Sequence, residues 1–249
     1  SLHDALPIWN KIYFRGVIGN LSSGTKKGKE VKLKKIKTNS IGKSYIIKEF
    51  KVLLKNPIFF IQCVLPSVLM PIIFLGIFIV TLNTNNSQEA LNEFKSVLGI
   101  YIETPIGLAI IISVTEFLTS MLYIAPTVIS RDGQNAIFMK YIPISYYKQL
   151  IYKGIPNIFF GTITSTIVIA FIYILAKPSL LFLLTVFIIN LILLILQTLL
   201  MELVDLRKPK LEWTTEYAVV KQNLNLLWPV VLNLLEIGII QIGRASCRE

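Results

Sequence analysis

Four stretches of this chain are apolar over the length that a membrane-crossing helix needs. Ile58–Leu82, Ile155–Ala176 and Ser179–Met201 contain no Asp, Glu, Lys or Arg, and Thr104–Ile129 contains only Glu116. A bilayer's hydrocarbon core takes roughly 20 consecutive apolar residues in helical form. Lipid offers the backbone no hydrogen bonds, and a helix satisfies its own. The predicted fold is therefore all-α: a polytopic integral membrane helix bundle with spans at about 58–82, 104–129, 155–176 and 179–201. A fifth span, expected over 228–241, opens at Trp228-Pro229 and is truncated. A content of 54% hydrophobic residues and a mean hydropathy of +0.66 exclude an ordinary soluble domain.

The charges give the bundle an expected orientation. The net charge is +11, and Lys11–Lys55, with thirteen Lys/Arg against two Glu, carries all of it. Concentrated in one block before the first span, this excess reads as a cytoplasmic topology signal and an anionic-lipid contact, with no nucleic acid implied. Ile129–Lys153 and Glu202–Leu227 each carry four Lys/Arg and are expected on the same side. Asn83–Ser96, with one lysine and two glutamates, is expected outside, with the Lys177-Pro178 turn. Lys177 there can snorkel to the surface.

The two ends read as foreign to this pattern. Ser1–Ile8 (SLHDALPI) and Ile242–Glu249 (IGRASCRE) look like translated sequencing adapter, the second cutting abruptly into an apolar run. The expected organisation is then 1–8 and 242–249 as adapter-derived ends of an internal fragment, 9–39 as an interfacial stretch and basic linker, and 40–241 as the transmembrane domain. His3 and Cys247 fall in the excluded ends, which leaves Cys63 as the lone cysteine, expected as a packing residue. That inventory builds neither a disulfide framework, a Cys/His metal site nor a Cys–His nucleophilic pair.

Leu21–Thr38 is Lys-rich without apolar periodicity and reads as a flexible linker. Gly24, Gly28 and Lys29 fall one spacer short of a phosphate loop and end in Glu30, and Gly42-Lys43-Ser44 lacks its upstream glycine. No nucleotide hydrolysis is expected of this chain. Ser40–Asn56 has helical spacing, with Tyr45, Ile46, Phe50, Leu53 and Leu54 mostly on one side and Lys43, Lys48, Lys51 and Lys55 mostly elsewhere. It is expected as an interfacial amphipathic helix, bending at Pro57 into a span kinked by Pro66 and Pro71. Thr214 or Thr215 is the expected cap of a short helix within Glu216–Asn225.

Two kinds of site stand out. Glu116, midway along a span, and Glu236, in the last apolar run, are intramembrane acidic candidates, since an ionisable group at that depth is costly unless paired or hydrated. The other is the loop 130–153, expected as a short turn-and-helix element along the inner surface and the place where a soluble partner meets the membrane domain.

Three stretches carry a resemblance. IKEFKVLLKNPIFF (Ile47–Phe60), ISRDGQNAIFMKYIPIS (Ile129–Ser145) and PKLEWTTEYAVVKQNLN (Pro209–Asn225) resemble, in order and in placement beside spans, segments of ABC-type exporter permeases of low-GC Gram-positive bacteria. Asp132 stands where that pattern more often has Glu. The resemblance implies a non-catalytic transmembrane subunit of the bacterial cell membrane, paired with a second transmembrane subunit (identical or not). ATP is then bound and hydrolysed by a separate ATP-binding cassette subunit, and this chain holds no cofactor. It also implies that ATP-driven closure of the partner pushes on the loop and tilts the flanking helices. Candidate coupling residues are Arg131, Asp132, Gly133, Phe138, Met139, Lys140, Tyr141, Pro143 and Ser145. The rival classes are a polytopic lipid-modifying enzyme, for which only scattered Glu103, Glu116 and Glu236 are available, and a non-transporting receptor or assembly factor.

Overall fold

The computed structural model describes residues 40–84, 99–235 and 238. The expected linker over 9–39, both adapter-like ends, most of the polar segment 83–96 and Glu236 lie outside the described residues. Those described form an all-helical bundle in which four helices are long and apolar enough to cross a membrane: Pro57–Thr81, Pro105–Thr127, Tyr146–Ala176 and Leu180–Arg207.

Helix α1 (Ile41–Lys55) ends where Asn56 adopts an extended backbone. The Asn56 side chain then caps the following turn, its Oδ1 accepting from the N–H groups of Ile58 at 2.9 Å and Phe59 at 3.3 Å. Pro57 occupies the first helical position, where its missing N–H costs nothing. The bend expected at Pro57 is thus an Asn cap followed by proline. The buried side of α1 differs from the expected stripe: Tyr45, Glu49 and Leu53 point inward, four residues apart, while Leu54 is half exposed.

A π-helical turn at Phe60–Val64 leads into α2 (Leu65–Thr84). Pro66 has no N–H for the carbonyl four residues back, and the wider π turn lies at that point. Pro71, inside α2, leaves the Ser67 carbonyl without its helical donor. Thr164 Oγ1, from a different helix, donates to that carbonyl at 2.7 Å. This is the condition under which a membrane helix carries proline.

Thr104 caps α3 (Pro105–Ser120), its Oγ1 accepting from Gly107 N–H at 3.3 Å. The helix stops at Ser120, short of the expected 129, and the chain continues through a 3-10 turn at Ala125–Thr127. Helix α4 (Tyr146–Ala176) starts nine residues before the expected 155, running unbroken through Lys153 and Pro156. It terminates at Lys177 in the left-handed conformation, φ 46°. Ser179 N–H donates to Glu103 Oε1 at 2.6 Å, joining the starts of α3 and α5 at one end of the bundle. These bonds hold the exposed Glu103 carboxyl below the usual carboxylate range. Helix α5 (Leu180–Arg207) extends past the expected 201 to take in Glu202 and Asp205.

The two longest helices approach closely where Gly161 faces Leu194; a Cβ there would lie 2.6 Å from Leu194 Cδ1. One apolar cluster gathers Leu53, Phe59, Cys63, Leu122, Ile124, Phe160, Val219 and Val220 from across the fold. Cys63 is packing, as expected, fully buried there. A second cluster joins Ile102, Ile111, Phe182 and Val186. Ile72, Ile73, Ile77, Ile188 and Ile192 are exposed, as side chains turned to lipid would be. After α5 come α6 (Glu216–Lys221), a 3-10 turn at Leu224–Leu227 and an apolar helical stretch reaching Leu235. Thr215 holds the N-cap position of α6 without a side-chain bond to it.

Two glycines should respond oppositely to alanine. A Cβ on Gly107 would press into backbone atoms of Tyr101 and Ile102, which cannot rotate away, whereas Gly76 has nothing within 4 Å. Gly107→Ala should lower Tm, and Gly76→Ala should stabilise its helix by roughly 0.5–1 kcal/mol. Thermal unfolding of the purified protein in detergent measures both.

Candidate functional site

Segments distant in sequence meet at the end of the bundle formed by the start of α4 and the end of α5, and they meet through charge. Lys153, about two turns into α4 at 3.6 residues per turn, is fully buried. Its ammonium donates to Asp132 Oδ2 at 2.6 Å, Glu49 Oε1 at 3.0 Å and the Val128 carbonyl at 3.4 Å. Lys48, half exposed, closes the set from outside, 3.1 Å from Glu49 and 3.3 Å from Asp132. Burial pushes the Asp132 carboxyl up, but Lys153 and Lys48 outweigh it and hold it below its usual value. Burial pulls Lys48 down, and the two carboxylates more than reverse that. Tyr45, four residues before Glu49, lies beneath this cluster, and burial together with Glu49 and Asp132 raises its phenol.

A second centre is organised by Asp205, buried near the end of α5. Its carboxylate accepts from Ile129 N–H at 2.6 Å, Ser130 N–H at 2.9 Å, Ser130 Oγ at 2.5 Å and Asn225 Nδ2 at 2.8 Å. Ser130 is used at every polar atom: its Oγ also accepts from Lys210 N–H and Asn223 Nδ2, and its carbonyl from Trp213 Nε1. The stretches 129–145 and 209–225 therefore fold as one unit, although about eighty residues separate the bonded partners.

The candidate coupling residues divide in two. Arg131 is buried, its Nη1 donating to the Ile124 carbonyl and, at 2.8 Å, to Thr127 Oγ1. Asp132 belongs to the ion-pair cluster. Gly133 has φ 55° and ψ −135°, a conformation open to glycine alone. Its Cα lies against the Trp213 indole, which an added Cβ would meet at 3.0 Å. Beyond that break the 3-10 segment Ser130–Lys140 turns outward. Phe138 and Tyr141 are 58% and 76% exposed, Lys140 and Pro143 are exposed, and Met139 is half-buried. Ser145, also exposed, holds the N-cap position of α4. Buried Gln149 ties the loop back, donating to the carbonyls of Met139 at 3.0 Å and Ile144 at 2.9 Å. The element expected as a turn and helix is a broken 3-10 segment, a tied turn and then α4 itself. A groove of about 550 Å³ runs between it and α1, with Phe138, Met139, Ile142 and Trp213 on one side and Ile41 and Val52 on the other.

Glu116, the intramembrane candidate within the described residues, is buried on α3 and accepts from Thr119 Oγ1 at 3.4 Å. Glu49, Lys153, Ser130 and Asp205 are site residues that sequence reasoning missed. The signals for two of them were present: Glu49 interrupts the inward series Tyr45, Leu53, and Lys153 is the last charge before a long uncharged run. Among the described residues no group of three His, Cys, Asp or Glu side chains is placed to hold a metal ion. Compared with protein-family models, curated proteins and solved structures, the chain finds no match.

Removing one member of a buried ion pair leaves the others uncompensated, at roughly 3–5 kcal/mol. Lys153→Met should therefore cause a large loss of Tm. Adding Glu49→Gln and Asp132→Asn to it should recover most of that loss, because the uncompensated charges go too. The pH dependence follows from Asp132. Its folded-state value is depressed, so its contribution is present above the usual 3.8 and fades as pH falls through the lower folded value. The stability difference between the unaltered chain and Asp132→Asn should therefore stay level from pH 7 to about pH 5 and shrink below that, read from thermal unfolding of both across the pH range.

Proposed function

We propose that this chain is a membrane-embedded subunit of an ATP-driven exporter in a bacterial cell membrane. With a second transmembrane subunit it forms the substrate path. A separate ATP-binding subunit, which binds and hydrolyses ATP, docks on the exposed rim between Ile137 and Tyr141. The basic end of the bundle is then the cytoplasmic end, with the lysines of α1 against anionic lipid.

One observation carries the reading: the loop is anchored on one side of Gly133 and bare on the other. Ile137, Phe138 and Tyr141 are each more than half exposed, beside an apolar groove. Aromatic side chains of this kind are what a partner buries at the centre of an interface. On the anchored side Lys153 and Asp132 connect the rim to α4, and Ser130 connects it to Asp205 of α5. Force applied at the rim reaches two spanning helices through bonds that are short and buried. The chemistry available to an enzyme is thin by comparison, since the clustered acids are engaged in ion pairs and hydrogen bonds with their own chain.

The test is co-purification. The full chain, affinity-tagged and extracted from its own membranes, should bring with it an ATP-binding subunit and MgATP hydrolysis. Phe138→Asp or Tyr141→Asp should weaken that association by about 2 kcal/mol or more, roughly thirtyfold, with membrane insertion unchanged. Undiminished ATPase recovery with either variant would overturn the docking assignment.

A further inference from the structure

The face of α5 turned into the bundle is polar over a long stretch. Asn190, Gln197 and Glu202 are 1%, 3% and 2% exposed. Helical spacing sets them on the same side as buried Leu194, Met201 and Asp205. Three of their polar atoms, Asn190 Oδ1, Gln197 Nε2 and Glu202 Oε1, have no hydrogen-bond partner among the described residues. Turning the Asn190 amide over does not help, because its Nδ2 already donates to the Val186 carbonyl at 2.9 Å, and the exchange would orphan an N–H instead.

Arg131, on the loop packed against α5, adds two more such atoms, Nε and Nη2. It lies within electrostatic reach of Glu202, as do Lys153 of α4, Glu49 of α1 and Asp205. Glu202 Oε1 packs directly against Gly154, in the space that a side chain there would occupy. From Asn190 to Glu202 the helix rises about 18 Å at roughly 1.5 Å per residue. Buried polar groups are almost always paired, with protein or with ordered water, and apolar surroundings make the requirement stricter.

The chemistry of the five atoms selects the partner. Gln197 Nε2, Arg131 Nε and Arg131 Nη2 are donors; Asn190 Oδ1 and Glu202 Oε1 are acceptors. A bound cation would satisfy only the acceptors, and an anion only the donors. Water serves both. Past Asn190 the same face turns apolar, with Val186 and Phe182 packed against Ile102 and Ile111.

We propose that this face of α5 is hydrated in two stretches: a water-filled track entered at the Arg131–Glu202 end and reaching Gln197, and, beyond the close contact of Leu194 with Gly161, water held at Asn190. The track follows from the bundle alone and stands or falls separately from the exporter reading. It is tested with the full chain in lipid vesicles, Cys63 and Cys247 replaced by alanine, using a small hydrophilic methanethiosulfonate reagent. A thiolate forms and reacts where water reaches it, so Gln197→Cys should be modified at least about tenfold faster than Val186→Cys. Equal, slow rates would overturn the track. Gln197→Leu gives an independent readout of opposite sign for the two cases. In a hydrated track it breaks water-mediated bonds and lowers Tm; in a dry bundle it removes an orphaned amide and raises Tm, which overturns the proposal whatever the cysteine variants do.

Discussion

A lysine with no exposed surface sits at the basic end of an apolar bundle, and its charge has to be matched on the spot. Lys153 finds two carboxylates, Glu49 and Asp132, on two other segments. That requirement fixes where α1 and the loop lie relative to α4, since neither can move away without stranding a charge. Buried ion pairs add little net stability over well-packed apolar groups. What this one supplies is register, because in this arrangement of the three segments the ammonium lies within 3.0 Å of both acids. Asp205 does the same for α5, with backbone N–H groups of the loop as the demanding party.

The spans were legible because each is a property of one continuous stretch: length and absence of charge decide it. The boundaries of α4 and α5 were misplaced where charges fall near a helix end. Lys148 and Lys153 read as loop, so α4 was expected to start at 155; Glu202 and Asp205 read as loop, so α5 was expected to stop at 201. In each case a polar or charged side chain is carried into the helix because another segment meets it. Lys153 and Glu49 are 104 residues apart, and nothing local to either announces the other. The proline reading fared better for the same reason turned around. Pro71 states by itself that a carbonyl is freed, although only the structure names Thr164 as its donor.

The loop 130–153 was expected to act as a single contact element, and it divides at Gly133. Before that residue the chain is bonded into its own interior: Ser130 to Asp205, Trp213 and Asn223, Arg131 through Nη1 to the turn at Ile124–Thr127, Asp132 to Lys153. After it Ile137, Phe138 and Tyr141 face outward, and Gln149 holds the backbone back. A glycine-only conformation at the division lets the chain reverse from buried to exposed within one residue.

That division explains why the sequence around Ser130 and the sequence from Pro209 to Asn225 belong together. Trp213 covers Gly133, donates to Ser130 and lines the groove beside Phe138, so one indole touches the anchor, the hinge and the rim. A partner seated on the rim would press on a surface whose backing is this indole and the Asp205 carboxylate rather than loose chain. In a bundle whose outer faces are matched to lipid, a displacement applied at the rim is more easily taken up by tilting α4 and α5 as units than by stretching short buried bonds. Stiffness at this end, more than any single contact, is what would make the loop a lever.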